Sequence, residues 1–172
     1  METTDSDKHW YVVLTRTNSE RKVRDYFQLQ EVDTFLPVQN RVIEREGKRI
    51  ERERLLLPRM VFVHISRQEM AAVRSTLNVY DFLRDRSTGA PTCIPDAQMA
   101  DFRYMLDYSQ DQVILTGESI PKGTRVVVAK GDLQGLRGEL VRYNNKYHIL
   151  VRIDMFGSAM VTIPAGYVRK EK

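Results

Sequence analysis

The order of apolar patterns along the 172 residues predicts an α+β protein: a ferredoxin-like sandwich over residues 9–108, then a small all-β, SH3-like barrel over residues 122–172. Three observations carry this. β-Branched and aromatic runs alternate with helical periodicities in the order β-α-β, hairpin, β-α-β-α. Six of the nine glycines lie at or beyond residue 122, between short β-branched runs. Residues 109–121, with Gly117 and Pro121 and no sustained period, read as the linker between the two domains.

Residues 10–14 (WYVVL) are dense in aromatic and β-branched types and read as a buried strand. Thr17 followed by Glu20 is a capping box, and Val23, Tyr26, Phe27 and Gln30 then trace a mostly apolar helical face ending near Glu31. Phe35-Leu36-Pro37 is a short strand. Residues 41–54 alternate charged and aliphatic types around Gly47, as a projecting, solvated β-hairpin would, with carboxylates at 44, 46, 51 and 53 expected in cross-strand ion pairs. Residues 55–65 (LLLPRMVFVHI) give the strongest strand signal of this half, with Pro58 at an edge or bulge because it cannot donate a ladder hydrogen bond. A second capping box, Ser66 with Glu69, opens a short helix to about Thr76. A strand over 79–83 follows, and Asp96 caps a helix whose Met99, Phe102, Met105 and Leu106 recur at helical spacing.

In the last third, strands are expected over 125–129, 139–143, 147–153 and 159–163, with Asn144-Asn145 as a tight hairpin turn. Each glycine there would cost about 1 kcal/mol relative to alanine in a helix interior, so the segment stays β.

Composition narrows function before any motif does. No apolar run approaches the ~18 residues that a membrane span requires. The polar start, residues 1–9, has no apolar core of a secretion signal, and a single cysteine, Cys93, agrees with a reducing cytoplasm. The net charge of +4 is unevenly spread: residues 121–172 hold 10 basic and 4 acidic side chains. Such a surplus suits an anionic partner or simply a solvated surface.

Catalysis finds little support. His9, His64 and His148 have no metal-ligand spacing, and no phosphate-cradling glycine loop or nucleophile elbow is present. Cys93 lacks a local basic activator and is expected to fill a small buried apolar place. No enzymatic activity, cofactor or metal is expected.

The informative cluster is VAKGDLQGLRG, in which Val128, Gly131, Gly135 and Gly138 form V-x-x-G-x-x-x-G-x-x-G behind a strand. It resembles the KOW motif. With Asp154-Met155-Phe156-Gly157 downstream it is similar to the C-terminal barrel of the NusG family of transcription elongation factors. Upstream, WYVV, the basic hairpin, LPRMVFV over 57–63 and Ile94-Pro95-Asp96 fall in the order of the NusG N-terminal domain, so the resemblance spans about residues 9–170. Pro58-Arg59-Met60 stands where the family usually has Pro-Gly-Tyr. That form, with EMAAVRS and MADFRYMLDYS, looks more like the UpxY group of specialised paralogues, antiterminators of long surface (capsular) polysaccharide operons and functional analogues of RfaH.

The resemblance implies a non-enzymatic, cytoplasmic, monomeric factor that binds RNA polymerase and suppresses pausing and termination. By motif position, Leu57, Met60 and Phe62 belong to an apolar concavity for the β′ clamp helices, with Met60 and Phe62 open to being either interface or core. Arg16, Arg45, Lys48, Arg49 and Arg52 are candidates for the non-template DNA strand, set against a hairpin whose charges are merely solvated. RfaH meets the β subunit through a His-Thr-Thr segment, and Met70-Ala71-Ala72 stands in that place. Met155, Phe156 and Gly157 align with the loop that contacts a small-subunit ribosomal protein or the terminator Rho, or else form a lid on the barrel end. Alternatives are a housekeeping NusG-type factor or a KOW protein that binds RNA or the ribosome.

Overall fold

A computed structural model of the chain describes residues 7–172, so the polar start up to residue 6 lies outside the described residues. It divides into two compact units, Met1–Asp96 and Ala97–Lys172.

The first unit is built on an antiparallel sheet with strand order β2-β5-β1-β6, formed by β1 (His9–Thr15), β2 (Asp33–Phe35), β5 (Met60–Ile65) and β6 (Val79–Phe82). A fifth strand, β7 (Cys93–Ile94), also pairs with β1. Strand alternation sorts β1 into two faces. Tyr11 and Val13 point with Val61, Val63 and Ile65 into a core closed by Val23 and Phe27 of α1 (Glu20–Leu29) and Val73 of α2 (Met70–Arg74). The opposite face carries the facing pairs Trp10/His64, Val12/Phe62 and Leu14/Met60. Between β2 and β5, β3 (Val38–Arg45) and β4 (Lys48–Leu55) form a separate two-stranded sheet. Its turn, Glu46-Gly47, has positive φ at both positions (53° and 74°), matching the strand twist.

Two expectations are corrected here. The strand anticipated over 55–65 is broken: residues 56–59 form a turn, and pairing restarts at Met60. Pro58 therefore sits in the turn rather than on a sheet edge. The Thr17/Glu20 capping box does not form either. Ser19 is the N-cap without a side-chain cap bond, and the buried Glu20 Oε1 accepts the backbone N–H of Arg59 at 2.9 Å. By contrast the Ser66/Glu69 box is complete, opening a 3-10 turn (Arg67–Glu69) that runs into α2. Both bonds to Ser66 help hold the Glu69 carboxyl below its usual value.

The second unit combines α3 (Asp96–Tyr108, shared across the boundary) with a six-stranded antiparallel sheet of order β13-β9-β10-β11-β12-β8. Its strands are β8 (Ile114–Thr116), β9 (Thr124–Val128), β10 (Arg137–Tyr143), β11 (Lys146–Ile153), β12 (Gly157–Thr162) and β13 (Val168–Lys170). Residues Met99, Phe102, Met105 and Leu106 are the buried face of α3 at the spacing expected of them. Asn144-Asn145 turns the β10–β11 hairpin with φ of 49° and 62°. Within residues 109–121, Ile114–Thr116 pair with Ser158–Met160, adding a strand that the sequence does not signal.

Inside this sheet Arg152 donates through Nε and one terminal nitrogen to both oxygens of the buried Glu139, at 2.7 and 3.0 Å. Gly123 N–H adds a third bond to that carboxylate, and Arg152 also donates to the Ile120 carbonyl. Burial acts to raise the Glu139 carboxyl, but the bonds from Arg152 and Gly123 outweigh it and hold the group below its ordinary value.

Candidate functional site

The turn at 56–59 is a small platform fixed from below. Arg59 adopts φ +66°, a left-handed conformation that costs a side-chain-bearing residue roughly 1–2 kcal/mol. Three bonds hold it there. Glu20 takes its N–H, its carbonyl accepts Thr15 N–H at 2.9 Å, and its Nε donates to the Thr15 carbonyl at 3.3 Å. The platform presents Leu57 and Met60 half-buried and Pro58 exposed, beside half-buried Leu14. Phe62 is fully buried, with its ring 6.1 Å from that of Phe35. Of the three residues expected in the apolar concavity, Leu57 and Met60 are therefore partly exposed, while Phe62, on the same sheet face as Met60, is buried.

The hairpin residues separate by face. Pairing runs Gln39↔Arg54, Arg41↔Arg52, Ile43↔Ile50 and Arg45↔Lys48 on one side. On the other it runs Val38↔Leu55, Asn40↔Glu53, Val42↔Glu51 and Glu44↔Arg49. The first face thus holds Arg41, Arg45, Lys48, Arg52 and Arg54 and no carboxylate, while the second holds Glu44, Glu51 and Glu53 with Arg49. Cross-strand ion pairing was expected along the ladder, but only Glu44/Arg49 faces opposite charge to opposite charge. Glu53 instead pairs with Arg21 of α1 at 3.1 Å. Arg45, Lys48 and Arg52 are brought together; Arg49 is not with them.

Arg16 is exposed beyond β1, its N–H bonded to the Asn78 carbonyl at 2.9 Å. Next to Asn78, Leu77 and Tyr80 are 82% and 72% exposed. They line the outer end of β6, and sequence patterning misses them because an apolar residue before a strand reads as core. Their only local signal is Asn78, whose type tolerates the left-handed φ of 69° found there.

In the second unit, Val128 closes the glycine-rich loop by accepting from Gly135 N–H (2.8 Å) and donating to the Leu136 carbonyl (2.9 Å). Gly131 and Gly135 have φ of 90° and 94°. Gly138 serves differently: a Cβ there would lie 2.6 Å from the Leu150 carbonyl oxygen, so its role is close strand approach. Met155 is 51% exposed at φ +74°, Phe156 is half-buried, and Gly157 has φ +97°. The loop is anchored by Gln98 of α3, which exchanges two bonds with Asp154 at 2.7 and 3.0 Å.

Cys93 is exposed, not buried as expected, because β7 is a two-residue edge strand whose Ile94 takes the inward position. Desolvation, then the nearby Asp96 carboxylate, raises its thiol pKa, which disfavours the thiolate. Among the described residues no group of three or more His, Cys, Asp or Glu is placed to hold a metal ion, and no helix is long and apolar enough to cross a membrane.

No curated protein sequence matches the chain. Among solved structures it is similar to one described as domain interaction in Thermotoga maritima NusG, at 18% identity and TM-score 0.49, covering 96% of this chain and 98% of that one. Two forms of the MjSpt4:Spt5 complex, conformations A and B, match at 14% identity with TM-scores of 0.31 and 0.33. They cover 95% and 94% of this chain and 98% and 95% of theirs. The model of the family described as transcription termination factor NusG matches residues 8–103, more than half of the sequence, and the chain therefore belongs to the NusG family, whose members are transcription factors rather than enzymes.

Proposed function

We propose that this chain is a specialised antitermination factor of the UpxY type, which binds RNA polymerase and suppresses pausing and premature termination on long surface-polysaccharide operons. In this reading residues 9–108 are the polymerase-binding domain, 109–121 the linker and 122–172 a KOW domain. The supporting observation is the platform at residues 57–60. Its backbone is clamped by Glu20 and Thr15 while Leu57 and Met60 remain partly exposed, the arrangement a preorganised apolar contact for the β′ clamp helices needs. Phe62, buried two residues along the same sheet face from Met60, acts by supporting that surface. Arg16, whose N–H bonds the carbonyl of Asn78 two residues before exposed Tyr80, is the better-placed candidate for the single non-template strand, since a cation and an aromatic together suit a phosphate and an unpaired base. Met155 and Phe156 form the candidate contact for a ribosomal protein or Rho.

The test is a titration of the full chain with a β′ clamp-helix fragment, following amide signals over residues 57–62. Saturable shifts there, lost in a folded Met60→Asp variant, are expected; equal binding by that variant refutes the assignment. A second reading, RNA binding by the barrel, is favoured by one observation: Arg137, Arg169, Lys170 and Lys172 line a common cleft with Val127 and Glu171. It predicts RNA affinity that falls steeply with salt and is indifferent to Met60→Asp.

A further inference from the structure

We infer that a cavity in the first unit, between the first residues of β1 and the turn that opens α2, binds a small aromatic monocarboxylate. The inference is independent of the polymerase contact and uses none of its residues.

The cavity follows from how one edge of β1 is divided. Val13, Leu14 and Thr15 pair with β6, while Trp10 and Tyr11 pair with the two-residue β7. Alternation puts His9, Tyr11 and, opposite Tyr11, Cys93 on the helix side of the sheet. The helix layer covers them thinly: α2 has five residues, of which Val73 is buried, and is entered through the 3-10 turn Arg67–Glu69. A space of about 520 Å³ is left, within the range of ordinary ligand sites.

Both walls are fixed by the fold itself. On one side residues 83–92 fold back, with Asp85 N–H donating to the Ala90 carbonyl at 2.9 Å and Thr92 N–H to the Leu83 carbonyl at 2.8 Å, which sets Pro91 in place. On the other, the Ser66/Glu69 capping box holds the turn that carries Arg67. Walls already ordered spare a ligand the entropy of ordering them.

The lining selects the chemistry. Tyr11, Met70 and Pro91 offer an aromatic ring, a polarisable thioether and an apolar pyrrolidine, surfaces suited to a flat aromatic body. Arg67 supplies the charge. It forms no ion pair among the described residues, and the acid of its own turn, Glu69, is taken up by Ser66. Burial raises the Tyr11 hydroxyl pKa and Cys93 adds to this, whereas Arg67 opposes both by charge and hydrogen bonding, so guanidinium and phenol meet on the cavity wall. A guanidinium takes a carboxylate through two parallel bonds. One cation, with the Asp7 carboxylate also in the lining, suits a single negative charge rather than the nearly two of a phosphate monoester. His9 carries a buried Nε2 without a hydrogen-bond partner among the described residues, a ring nitrogen left for a group the fold does not provide.

The test uses indole-3-acetate as the probe, with its cationic counterpart indole-3-ethanamine and the dianion phenyl phosphate as comparators. Cys93 is the one cysteine of the sequence and lines the cavity, so its alkylation by iodoacetamide, followed by mass spectrometry of the full chain, reports occupancy. Indole-3-acetate should slow that alkylation several-fold and saturably, with half-protection at about 1 mM or below, and should shift the amide signals of His9, Arg67 and Cys93. Arg67→Gln, at an exposed side chain, should raise the half-protection concentration by about tenfold or more while keeping a native amide spectrum, as expected for loss of one charge-assisted bond. Both comparators should be weaker by a similar factor. Unprotected Cys93 in the wild type, unchanged protection in folded Arg67→Gln, or equal protection by the amine overturns the inference. Tighter binding of phenyl phosphate overturns the carboxylate class.

Discussion

Replacing Glu20 by alanine should loosen the platform at residues 57–60 from beneath. Glu20 is buried, and its carboxylate accepts the Arg59 N–H at 2.9 Å while Arg59 is held at φ +66°. Removing a charged acceptor from a buried backbone donor costs about 1.5–3 kcal/mol. Part of that returns if Arg59 relaxes out of its left-handed conformation, which releases roughly 1–2 kcal/mol of strain but breaks its bonds to Thr15. A net loss of about 2 kcal/mol should lower the thermal midpoint of a unit the size of Met1–Asp96 by about 8–16 °C. Glu20→Gln keeps a carbonyl acceptor and loses only the charge assistance, so about half of the effect is expected. The assay is thermal unfolding followed by near-ultraviolet circular dichroism, with hydrogen exchange at the Arg59 amide as the local readout. A shift of no more than about 3 °C in Glu20→Ala, the scale of an ordinary surface change, with Arg59 exchange unaltered, would refute the reasoning.

Two further outcomes concern the second unit. Gly138→Ala places a methyl group 2.6 Å from the Leu150 carbonyl oxygen, with Ile149 Cδ1 3.0 Å away, and should destabilise the second unit by about 1–3 kcal/mol. Urea unfolding read at β10 and β11 amides checks this, and wild-type stability counts against the close approach. The depressed Glu139 carboxyl contributes stability that is fully present above its unfolded pKa and is lost as pH falls through the lower folded value. Acid titration should therefore show protection at Leu150 falling below the ordinary carboxylate range. Glu139→Gln should be weaker at neutral pH and flatter in acid, and parallel profiles would exclude this carboxylate as the cause.

What the sequence makes legible is whatever is decided within a few residues. The hairpin around Glu46-Gly47 is fixed by alternation and a two-residue turn, and α3 by four apolar residues at helical spacing. The Ser66/Glu69 box forms because both partners lie inside one turn. Thr17/Glu20 has the same local pattern, yet Glu20 is taken by an amide 39 residues away, and no local rule anticipates that competitor. Strand β8 is invisible for a similar reason: three residues with no period become a strand only through β12. The candidate site shows the same division. Leu57 and Met60 follow from motif order, whereas the two charge faces of the hairpin require the pairing register, which composition alone averages into near neutrality.

The strain at Arg59 bears on how this surface can change over generations. A glycine there occupies the left-handed region freely and stores no strain, although its backbone N–H still needs the acceptor at position 20. With arginine in its place, the turn depends on a carboxylate and on Thr15, residues supplied by other elements of the first unit. Substitutions at 20 and 59 are thus non-additive, and the order in which they arise matters. A lineage with glycine at 59 loses only a hydrogen bond when the acid at 20 goes, while one with arginine loses the bond that also holds a strained backbone in place. Transplanting residues 57–63 between relatives should accordingly succeed only when the residue at 20 travels with them.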